Sequence, residues 1–414
     1  MKAELISIGS ELTSGKNLDT NSQWLSIQLA GMGIPVGWHT TIADDFDANL
    51  EAFSIASRRA GLVIATGGLG PTQDDLTREV ISKLAGKPLV FHEPSWATIQ
   101  EMFAKRQRPC PERNKVQAFF PETAIPIPNE VGTAPGIWMK LGASHIAALP
   151  GVPREMKAMF HAWLQMKLKE LGLSSGVLIQ RKINTFGLGE SAVEEKLFDL
   201  TRRGHEPEVG ITASDAVISL RILAQAETAD LAMQKIEPVE KIILERLGTL
   251  VYGYEDEELE TVVHQLLEKK GKTISTAESV TGGMLASKLT KVPGASSRFF
   301  GGVVTYTNEI KKVTLGITDD LLAGPVACNP ELTLAMARAV RKKLGTHIGL
   351  ATTGVAGPGD VSPELPQGKV FVALSSDEGE VQQTYQWFGS RNEIQSRTTK
   401  LALNILRLHL LGVE

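Results

Sequence analysis

The first ~170 residues alternate short apolar runs with amphipathic stretches. Helical spacing of apolar residues predicts helices over Asn21–Met32, Asp45–Ala60 and Thr72–Leu84. Strands alternating with helices are typical of an α/β domain with a largely parallel sheet, so we place a first domain at residues 1–172. Four runs are predicted as its strands: AELISIG (Ala3–Gly9), IPVGWHTTIA (Ile34–Ala43), GLVIAT (Gly61–Thr66) and SHIAALP (Ser144–Pro150).

The pattern changes over residues 173–254, which predict a small βαββα domain. Its strands and helices are expected at GVLIQRKINTFG, GESAVEEKLFDL, EVGITA, AVISLRILAQ and TADLAMQKIEPVEKIILERLG. Proline cannot donate a helical hydrogen bond, so Pro238 predicts a kink or a break in the last helix.

A second α/β domain is predicted at residues 255–414. The helical pattern VVHQLLEKKG closes at Gly271, and NEIQSRTTKLALNILRLHLL predicts a C-terminal helix. That helix places Ile394, Leu401, Ile405 and Leu408 on one face. The runs KTISTAES, GGVVTYTN, THIGLATTG and GKVFVALSS are its predicted strands.

Composition narrows the class of protein. A chain of 414 residues exceeds one ordinary hydrophobic core, and 42% hydrophobic with 22% charged residues indicates a globular protein. The net charge of -4 provides no basic field for nucleic acid. Cys110 and Cys328 lack metal-ligand spacing, which argues against a disulfide framework or zinc. The N-terminal apolar run is too short for a signal peptide, so we expect a cytoplasmic protein without a membrane span.

Four segments of the first domain combine small residues with carboxylates or amides in predicted loops. Most of them follow or lie close to predicted strands, where open α/β sheets bind their ligands. In TGGLGPTQDD, Asp74 and Asp75 lie where a phosphate bound by the glycine-rich turn would lie. Thr72 to Asp75 also fits a capping box at a helix start, so a structural and a functional interpretation both stand. The four segments are GSELTSGKNLDTN (Gly9–Asn21), TGGLGPTQDD (Thr66–Asp75), NEVGTAPG (Asn129–Gly136) and LPGVPREM (Leu149–Met156).

The second α/β domain carries a possible nucleophile. Ser279 in TAESVTGG follows a predicted strand, but no Ser-His-Asp set accompanies it. A serine without histidine needs another base, and a lysine of lowered pKa can serve. Tyr306 and Lys311 in YTNEIKK are candidates, although Lys311 and Lys312 also fit a solvated helix face. The loop in ATTGVAGPGD is glycine-rich enough to present N–H groups to an oxyanion or a phosphate.

The four segments of the first domain resemble, in order, the N-terminal domain of the CinA family, which is similar to molybdopterin-binding domains of three-layer α/β architecture. The resemblance implies a metal-dependent ADP-ribose pyrophosphatase. A divalent cation, Mg²⁺ or Co²⁺, would be held by Asp74 and Asp75, with Glu11 and Asp44 as further candidates. Substrate would contact Gly67, Gly68, Gly70, Thr72 and Asn21.

AESVTGG, YTNEIKK, TTGVAGPGD with LPQGKVFVAL, and FGSR resemble the CinA C-terminal domain, a family of nicotinamide mononucleotide (NMN) deamidases. The resemblance implies that Ser279 attacks the carboxamide carbon, that Lys311 and Tyr306 handle protons, and that no metal is needed. Thr353 would polarise the amide and Arg391 would pair with the substrate phosphate. Further substrate contacts would come from Thr281, Gly282, Gly354 and Gly357.

This chain departs from the family pattern at three places. Val280 replaces the usual cysteine, and Ala327 ends a GPVA segment where the family has a serine. Many relatives carry a second arginine closer to Arg391 than Arg397. The first two departures remove no proposed catalytic group, and the third predicts weaker phosphate binding.

Other functions stay open at this point. The N-terminal domain is also interpretable as a module that binds molybdopterin or a nucleotide without turnover. The family's link to competence and damage induction suggests an interaction protein of DNA uptake or repair, which would need a protein partner because the charge balance disfavours direct nucleic-acid contact. The resemblance also implies a homodimer that acts on small nucleotides, away from membranes.

Overall fold

The computed structural model describes residues 2–174, 176–322 and 327–413. Its Cα positions separate into two compact units, Met1–Ile179 with Ala224–Gln234, and Gln180–Leu223 with Lys235–Glu414. Both units have mixed α/β structure. The expected α/β fold class is confirmed, with an N-terminal three-layer α/β domain, a small βαββα domain and a C-terminal α/β domain.

The N-terminal domain is a sheet between two layers of helices. The sheet order is β2-β1-β3-β8-β7-β6, with β2, β1, β3 and β8 parallel and β7 and β6 antiparallel. A π-helical turn, Phe160–Leu164, joins α6 to α7. The strands are β1 (Ala3–Ile8), β2 (Val36–Ile42), β3 (Leu62–Thr66), β4 (Leu89–Phe91), β5 (Phe119–Pro121), β6 (Ile125–Ile127), β7 (Gly136–Leu141) and β8 (Ser144–Leu149). The helices are α1 (Ser10–Thr13), α2 (Thr20–Gly31), α3 (Phe46–Arg59), α4 (Thr77–Ala85), α5 (Glu93–Lys105), α6 (Pro153–Met159) and α7 (Gln165–Glu170).

Successive strand residues point to opposite faces, and both faces are buried here. Leu62 and Ile64 pack in the cluster that includes α2 and α6 residues, whereas Val63 and Ala65 pack with α3 and α4 residues. The four predicted strands and the helices corresponding to α2 and α3 are therefore confirmed to within a few residues. The pattern missed β7, the short strands β4 to β6, and the helices α5 to α7.

The predicted helix Thr72–Leu84 is wrong at its start, because α4 begins at Thr77. The Asp75 carboxylate accepts from the N–H of Gly70 and of Thr72, both of which precede it in the chain. These bonds close a turn ahead of the helix instead of capping its first N–H groups. The residue before the helix, Leu76, contributes no side-chain cap.

The middle domain has the predicted βαββα order, followed by one more strand. Its helix α9 runs without a break through Pro238, so the predicted break does not occur. The four-stranded sheet has the order β10-β11-β9-β12. The elements are β9 (Val177–Phe186), α8 (Glu190–Thr201), β10 (Glu208–Ser214), β11 (Val217–Ala226), α9 (Ala229–Leu247) and β12 (Val251–Tyr254).

The C-terminal domain repeats the three-layer arrangement on a sheet of order β14-β13-β15-β16-β17. The first three strands are mutually parallel, and β16 and β17 are antiparallel. Leu350 faces the cluster that includes α10 and α14 residues, whereas Ala351 faces the α13 cluster. The elements are α10 (Leu259–Lys270), β13 (Ile274–Glu278), α11 (Met284–Thr290), β14 (Phe299–Val304), α12 (Asn308–Leu315), α13 (Pro330–Leu344), β15 (Ile348–Gly354), β16 (Lys369–Ser376), β17 (Glu380–Gln386) and α14 (Arg391–Leu411).

Candidate functional sites

Three adjacent parallel strands of the C-terminal domain end at the same edge of the sheet. Ser279 directly follows β13, Tyr306 follows β14, and Gly354 is the last residue of β15. These residues and Arg391 line one cavity of about 280 Å³, together with the loop 355–361 and Val280. With Gly357 of that loop, five of the predicted site residues are thus brought together at the edge where parallel sheets bind ligands.

The turn that carries Ser279 is held by Glu278, a residue that the sequence analysis did not select. The Glu278 side chain is 1% exposed and sits at the N-terminus of α11. Two features of the sequence could have identified Glu278: it ends an apolar strand, and two glycines follow it four and five residues later. The carboxylate accepts hydrogen bonds from Thr281 Oγ1 (2.7 Å) and from the N–H of Gly283 (2.9 Å), Leu285 (3.0 Å) and Ala286 (2.8 Å).

Lys311 is buried on α12, with 2% of its surface exposed, whereas its neighbour Lys312 is exposed and paired with Asp319. The interpretation of Lys311 as part of a solvated helix face is therefore wrong. Burial lowers the pKa of Lys311, and the nearby Cys328 opposes this only in part. Within residues 2–174, 176–322 and 327–413, Lys311 forms no ion pair with a carboxylate. A lowered pKa increases the fraction of Lys311 that is the neutral amine near neutral pH, and the neutral amine is the form that can act as a base.

Arg391 bridges two sides of the cavity. Its guanidinium donates to the carbonyl oxygen of Gly357 and to the hydroxyl of Tyr306. Gly357 has a φ of +86°, and a Cβ there would lie 2.4 Å from the Gln367 carboxamide carbon, so the position requires glycine. Arg397 donates instead to Phe388 O and Glu393, and it does not line this cavity.

Two predicted hydroxyl groups lie behind the cavity wall. Thr353 is fully buried, and its Oγ1 shares a 2.7 Å hydrogen bond with Thr333 Oγ1. Thr281 Oγ1 contacts Glu278 and Thr352. Neither residue lines the cavity, so their predicted substrate contacts stay predictions.

Val280 and Ala327, which differ from the CinA pattern, have apolar side chains. Val280 packs in the core cluster of the domain and also lines the cavity, and Gly282 in the same turn adopts a φ of +61°. Ala327 is buried against α13, and residues 324–326, the rest of the GPVA segment, lie outside the described residues.

The loops of the N-terminal domain also meet at one sheet edge, after β1, β2, β3 and β8. Asn21 Nδ2 donates to Gly151 O at 2.8 Å, and Gly67 N–H donates to Leu149 O at 3.0 Å. A Cβ on Gly67 would lie 2.3 Å from Ile8 O, which explains why glycine is needed there. Three of the four predicted segments are joined by these contacts. The fourth is tied in by a 2.8 Å hydrogen bond from Asn129 to Glu155.

The glycine-rich turn after β3 directs its carbonyl groups toward the start of α4. Gly67 O accepts from Thr77 Oγ1 and Gly68 O from Thr77 N–H, while the Arg78 guanidinium donates to Leu69 O and Gly70 O. In a trans peptide the N–H points opposite to the preceding C=O. The N–H groups of Gly68 and Leu69 therefore point away from α4, and no described residue accepts from them.

The carboxylates assigned to a divalent cation do not form a preassembled centre. Asp75 uses both oxygens on donors of its own turn, and Asp44 accepts from Ser10 N–H and Oγ. Glu11 folds against Gly9, and Asp74 is exposed. Among the residues that the structure describes, no group of three His, Cys, Asp or Glu side chains is spaced to hold a metal ion. The residues as they stand thus do not fit a protein cage for Mg²⁺ or Co²⁺.

Larger cavities lie elsewhere, of about 660 Å³ beside the loop 126–135, about 520 Å³ beside residues 290–301, about 500 Å³ beside α13 and about 460 Å³ beside α14. None of these four is lined by a predicted catalytic residue, so volume alone does not mark the chemistry here. In the described part of the chain, no helix is both long and apolar enough to cross a bilayer.

Comparison with known proteins assigns a family to each domain. Three protein-family models match: "Probable molybdopterin binding domain" at residues 4–170, "Damage-inducible protein CinA KH domain" at 180–253 and "CinA C-terminal domain" at 256–410.

Full-length relatives agree with these matches. A CinA-like protein of Dictyoglomus thermophilum is 43% identical over 100% of both chains, and one of Kosmotoga olearia is 41% identical over 99% of both. A crystal structure of CinA from Thermoplasma acidophilum is 34% identical, covers 40% of this chain and 96% of its own, and has a TM-score of 0.38. On the two full-length matches, the chain belongs to the CinA family.

Proposed function

We propose that the C-terminal domain hydrolyses the carboxamide of NMN to nicotinic acid mononucleotide and ammonia. The observation that supports this most is the cavity at the ends of β13, β14 and β15, where Ser279, Tyr306 and Arg391 meet. Lys311 lies five residues after Tyr306 and is not among the residues that line this cavity, and its burial makes it a base of lowered pKa. A hydroxyl nucleophile, a base and a guanidinium suit an amide substrate that carries a phosphate.

In the proposed reaction, Ser279 Oγ attacks the carboxamide carbon while Lys311, as the neutral amine, accepts the hydroxyl proton. The tetrahedral intermediate collapses when that proton passes to the leaving nitrogen, which releases ammonia and leaves a nicotinoyl ester on Ser279. Water then attacks the ester, Lys311 again carries the proton, and the acid is released. Tyr306 orients Arg391, because its hydroxyl accepts from that guanidinium.

Substitution of the nucleophile and of the base tests this proposal. Ser279→Ala and Lys311→Ala should each lower ammonia release from NMN by at least about 10²-fold, the scale of general-base catalysis. Ser287→Ala, an exposed serine on α11, and Lys312→Ala are the matched controls and should keep the wild-type rate. Wild-type rates in Ser279→Ala would exclude this serine as the nucleophile.

We also propose that the N-terminal domain binds a phosphate-bearing ligand, with ADP-ribose as the substrate and AMP and ribose 5-phosphate as the products. The partnerless N–H groups of Gly68 and Leu69 favour this function, because backbone N–H groups at such turns bind anions. A requirement for a divalent cation, Mg²⁺ or Co²⁺, is a prediction of this proposal.

The assay for the second activity is AMP release from ADP-ribose by the full chain, with Mg²⁺, with Co²⁺ and with chelator. Turnover that needs the cation supports a pyrophosphatase. Binding of ADP-ribose without AMP release would instead support a binding module.

A further inference from the structure

Both carboxylate oxygens of Asp75 already accept hydrogen bonds from its own turn, so neither is free to coordinate a metal ion. Its Oδ1 accepts from Gly70 N–H at 2.7 Å, and its Oδ2 accepts from Thr72 N–H at 2.9 Å and from Thr72 Oγ1. We propose that Asp75 is an internal occupant of the phosphate-binding turn, which an anionic ligand of the phosphate or pyrophosphate class displaces. This inference rests on the proposed anion-binding function of the N-terminal domain.

The donors that Asp75 holds are of the kind that bind phosphate. Carboxylates and phosphates are both found on clusters of backbone N–H groups at the start of helices. The Gly70 and Thr72 N–H groups continue the series that begins with the free N–H groups of Gly68 and Leu69. Asp75 therefore accepts from two N–H groups of this series, and the other two have no acceptor among the described residues.

The turn is shaped to let this carboxylate in. A Cβ on Gly70 would lie 2.3 Å from Asp75 Oδ2, so any larger residue at position 70 would push the carboxylate away. Glycine at this position thus serves the close approach of an anionic group to the backbone. The same space is available to a ligand oxygen once Asp75 has left.

A buried positive charge next to the turn stabilises an anion bound there, whether that anion is the Asp75 carboxylate or a ligand. Arg78 is 0% exposed and donates to Leu69 O and Gly70 O. Burial lowers the pKa of Arg78 to about 10, so the guanidinium stays charged at neutral pH. Because Arg78 does not pair directly with Asp75, the departure of the carboxylate leaves no hydrogen bond of Arg78 broken.

The two roles of Asp75 predict effects of different size. Removal of a metal ligand changes anion binding without metal only by the small gain from loss of a like charge. An internal occupant, when removed, frees the Gly70 and Thr72 donors and removes a like charge, which strengthens anion binding without metal. The difference is measurable without any catalytic turnover.

The experiment uses the full chain in chelator and titrates inorganic pyrophosphate by calorimetry at 0.15 M salt. Asp75→Ala should bind about tenfold more tightly than wild type. Asp75→Asn keeps the shape and one acceptor oxygen, and it should fall between the two. Asp74→Ala removes the same charge one residue away and leaves Gly70 N–H occupied, so its gain should stay below about threefold because exposed charges are screened.

Each outcome decides something. If wild type binds pyrophosphate but Asp75→Ala and Asp75→Asn bind it no more tightly, the proposed role of Asp75 is wrong. The anion-binding function then still stands. An equal gain in Asp74→Ala also overturns the role of Asp75, in favour of a general charge effect. No binding by wild type or any variant overturns the anion-binding function itself. If the unfolding midpoint of Asp75→Ala shows a damaged domain, the isosteric Asp75→Asn carries the decision.

Discussion

Glu278→Gln would measure how strongly one buried carboxylate holds the turn of the candidate nucleophile. Glutamine has the same shape but keeps only one acceptor oxygen. In its best rotamer that oxygen takes the place of Oε2, which has three of the four donors. The amide NH₂ then faces the Ala286 N–H, which donated to Oε1 at 2.8 Å.

The expected cost follows from these contacts. One buried donor left without an acceptor costs about 1–3 kcal/mol. Loss of a negative charge at the N-terminus of α11 adds about 0.3–1 kcal/mol. The three remaining hydrogen bonds weaken because their acceptor is neutral, while relief from burying a charge offsets part of this. We expect local opening of the turn to become about 2–4 kcal/mol easier.

Hydrogen–deuterium exchange of the full chain is the suitable assay, since it reports the local opening of one segment within a multidomain protein. Protection of the amides in residues 279–290 should fall by about 30-fold to 700-fold. NMN turnover should fall with it, because Ser279 precedes the same turn. Glu331→Gln, an exposed acid in the first turn of α13, is the control and should leave exchange unchanged. Wild-type protection in Glu278→Gln would refute the assignment of this carboxylate as the support of the turn.

Three further outcomes are expected. The rate of NMN hydrolysis should rise with pH through the pKa of Lys311, at a pH below the range of an ordinary lysine because burial lowers that pKa, and Lys311→Arg should abolish activity at all these pH values. Arg391→Ala should raise KM for NMN while leaving hydrolysis of nicotinamide riboside, which lacks the phosphate, within about twofold, and equal losses on both would contradict a phosphate role. Burial by itself raises the pKa of Asp19, but hydrogen bonds from Ser22 and Ser7 outweigh it and leave that pKa lowered. Ionised Asp19 therefore stabilises the folded protein above the pKa that Asp19 has in the unfolded chain, and this contribution is lost as the pH falls through its pKa in the folded protein. Asp19→Ala should lower the free energy of unfolding by about 1 kcal/mol at pH 7 and by less in acid. Urea unfolding measures the difference.

Most strands that carry the two sites could be predicted because β1, β3, β13 and β15 are buried on both faces and consist mostly of apolar or small residues. GLVIAT and AELISIG need no tertiary information to be recognised. Their parallel order then brings the loops after them to one edge, which is why Ser279 and Tyr306 could be selected from sequence. The antiparallel strands β7 and β17 were missed because partly exposed or polar residues interrupt the apolar pattern of each strand.

The start of α4 could not be predicted because one local pattern serves two structures. A threonine followed three residues later by an acid fits a capping box and also fits a closed turn. The backbone of Gly67 and Gly68, at φ of +108° and +64°, decides between them, since it brings Gly70 N–H within reach of Asp75. The burial of Lys311 could not be predicted for a similar reason. The sequence does not show which of the adjacent residues Lys311 and Lys312 is buried, because that depends on how α12 packs.

Glu278 and Asp75 present the same chemistry with different accessibility, and this difference separates the two sites. Glu278 is almost fully buried and satisfies four donors at the start of α11, so that helix has no free N–H groups for a substrate phosphate. The start of α11 is therefore not available to a phosphate in the C-terminal cavity, and Arg391 is the cationic side chain among the described residues that line it. Asp75 is only partly buried, and the N–H groups of partly exposed Gly68 and of buried Leu69 have no acceptor in the described part of the chain, so we expect the backbone to bind the anion there. The consequence is testable with arginine variants alone: Arg391→Ala should lose phosphate recognition in the C-terminal domain, whereas substitution of the exposed Arg58 and Arg106 should leave pyrophosphate binding in the N-terminal domain intact.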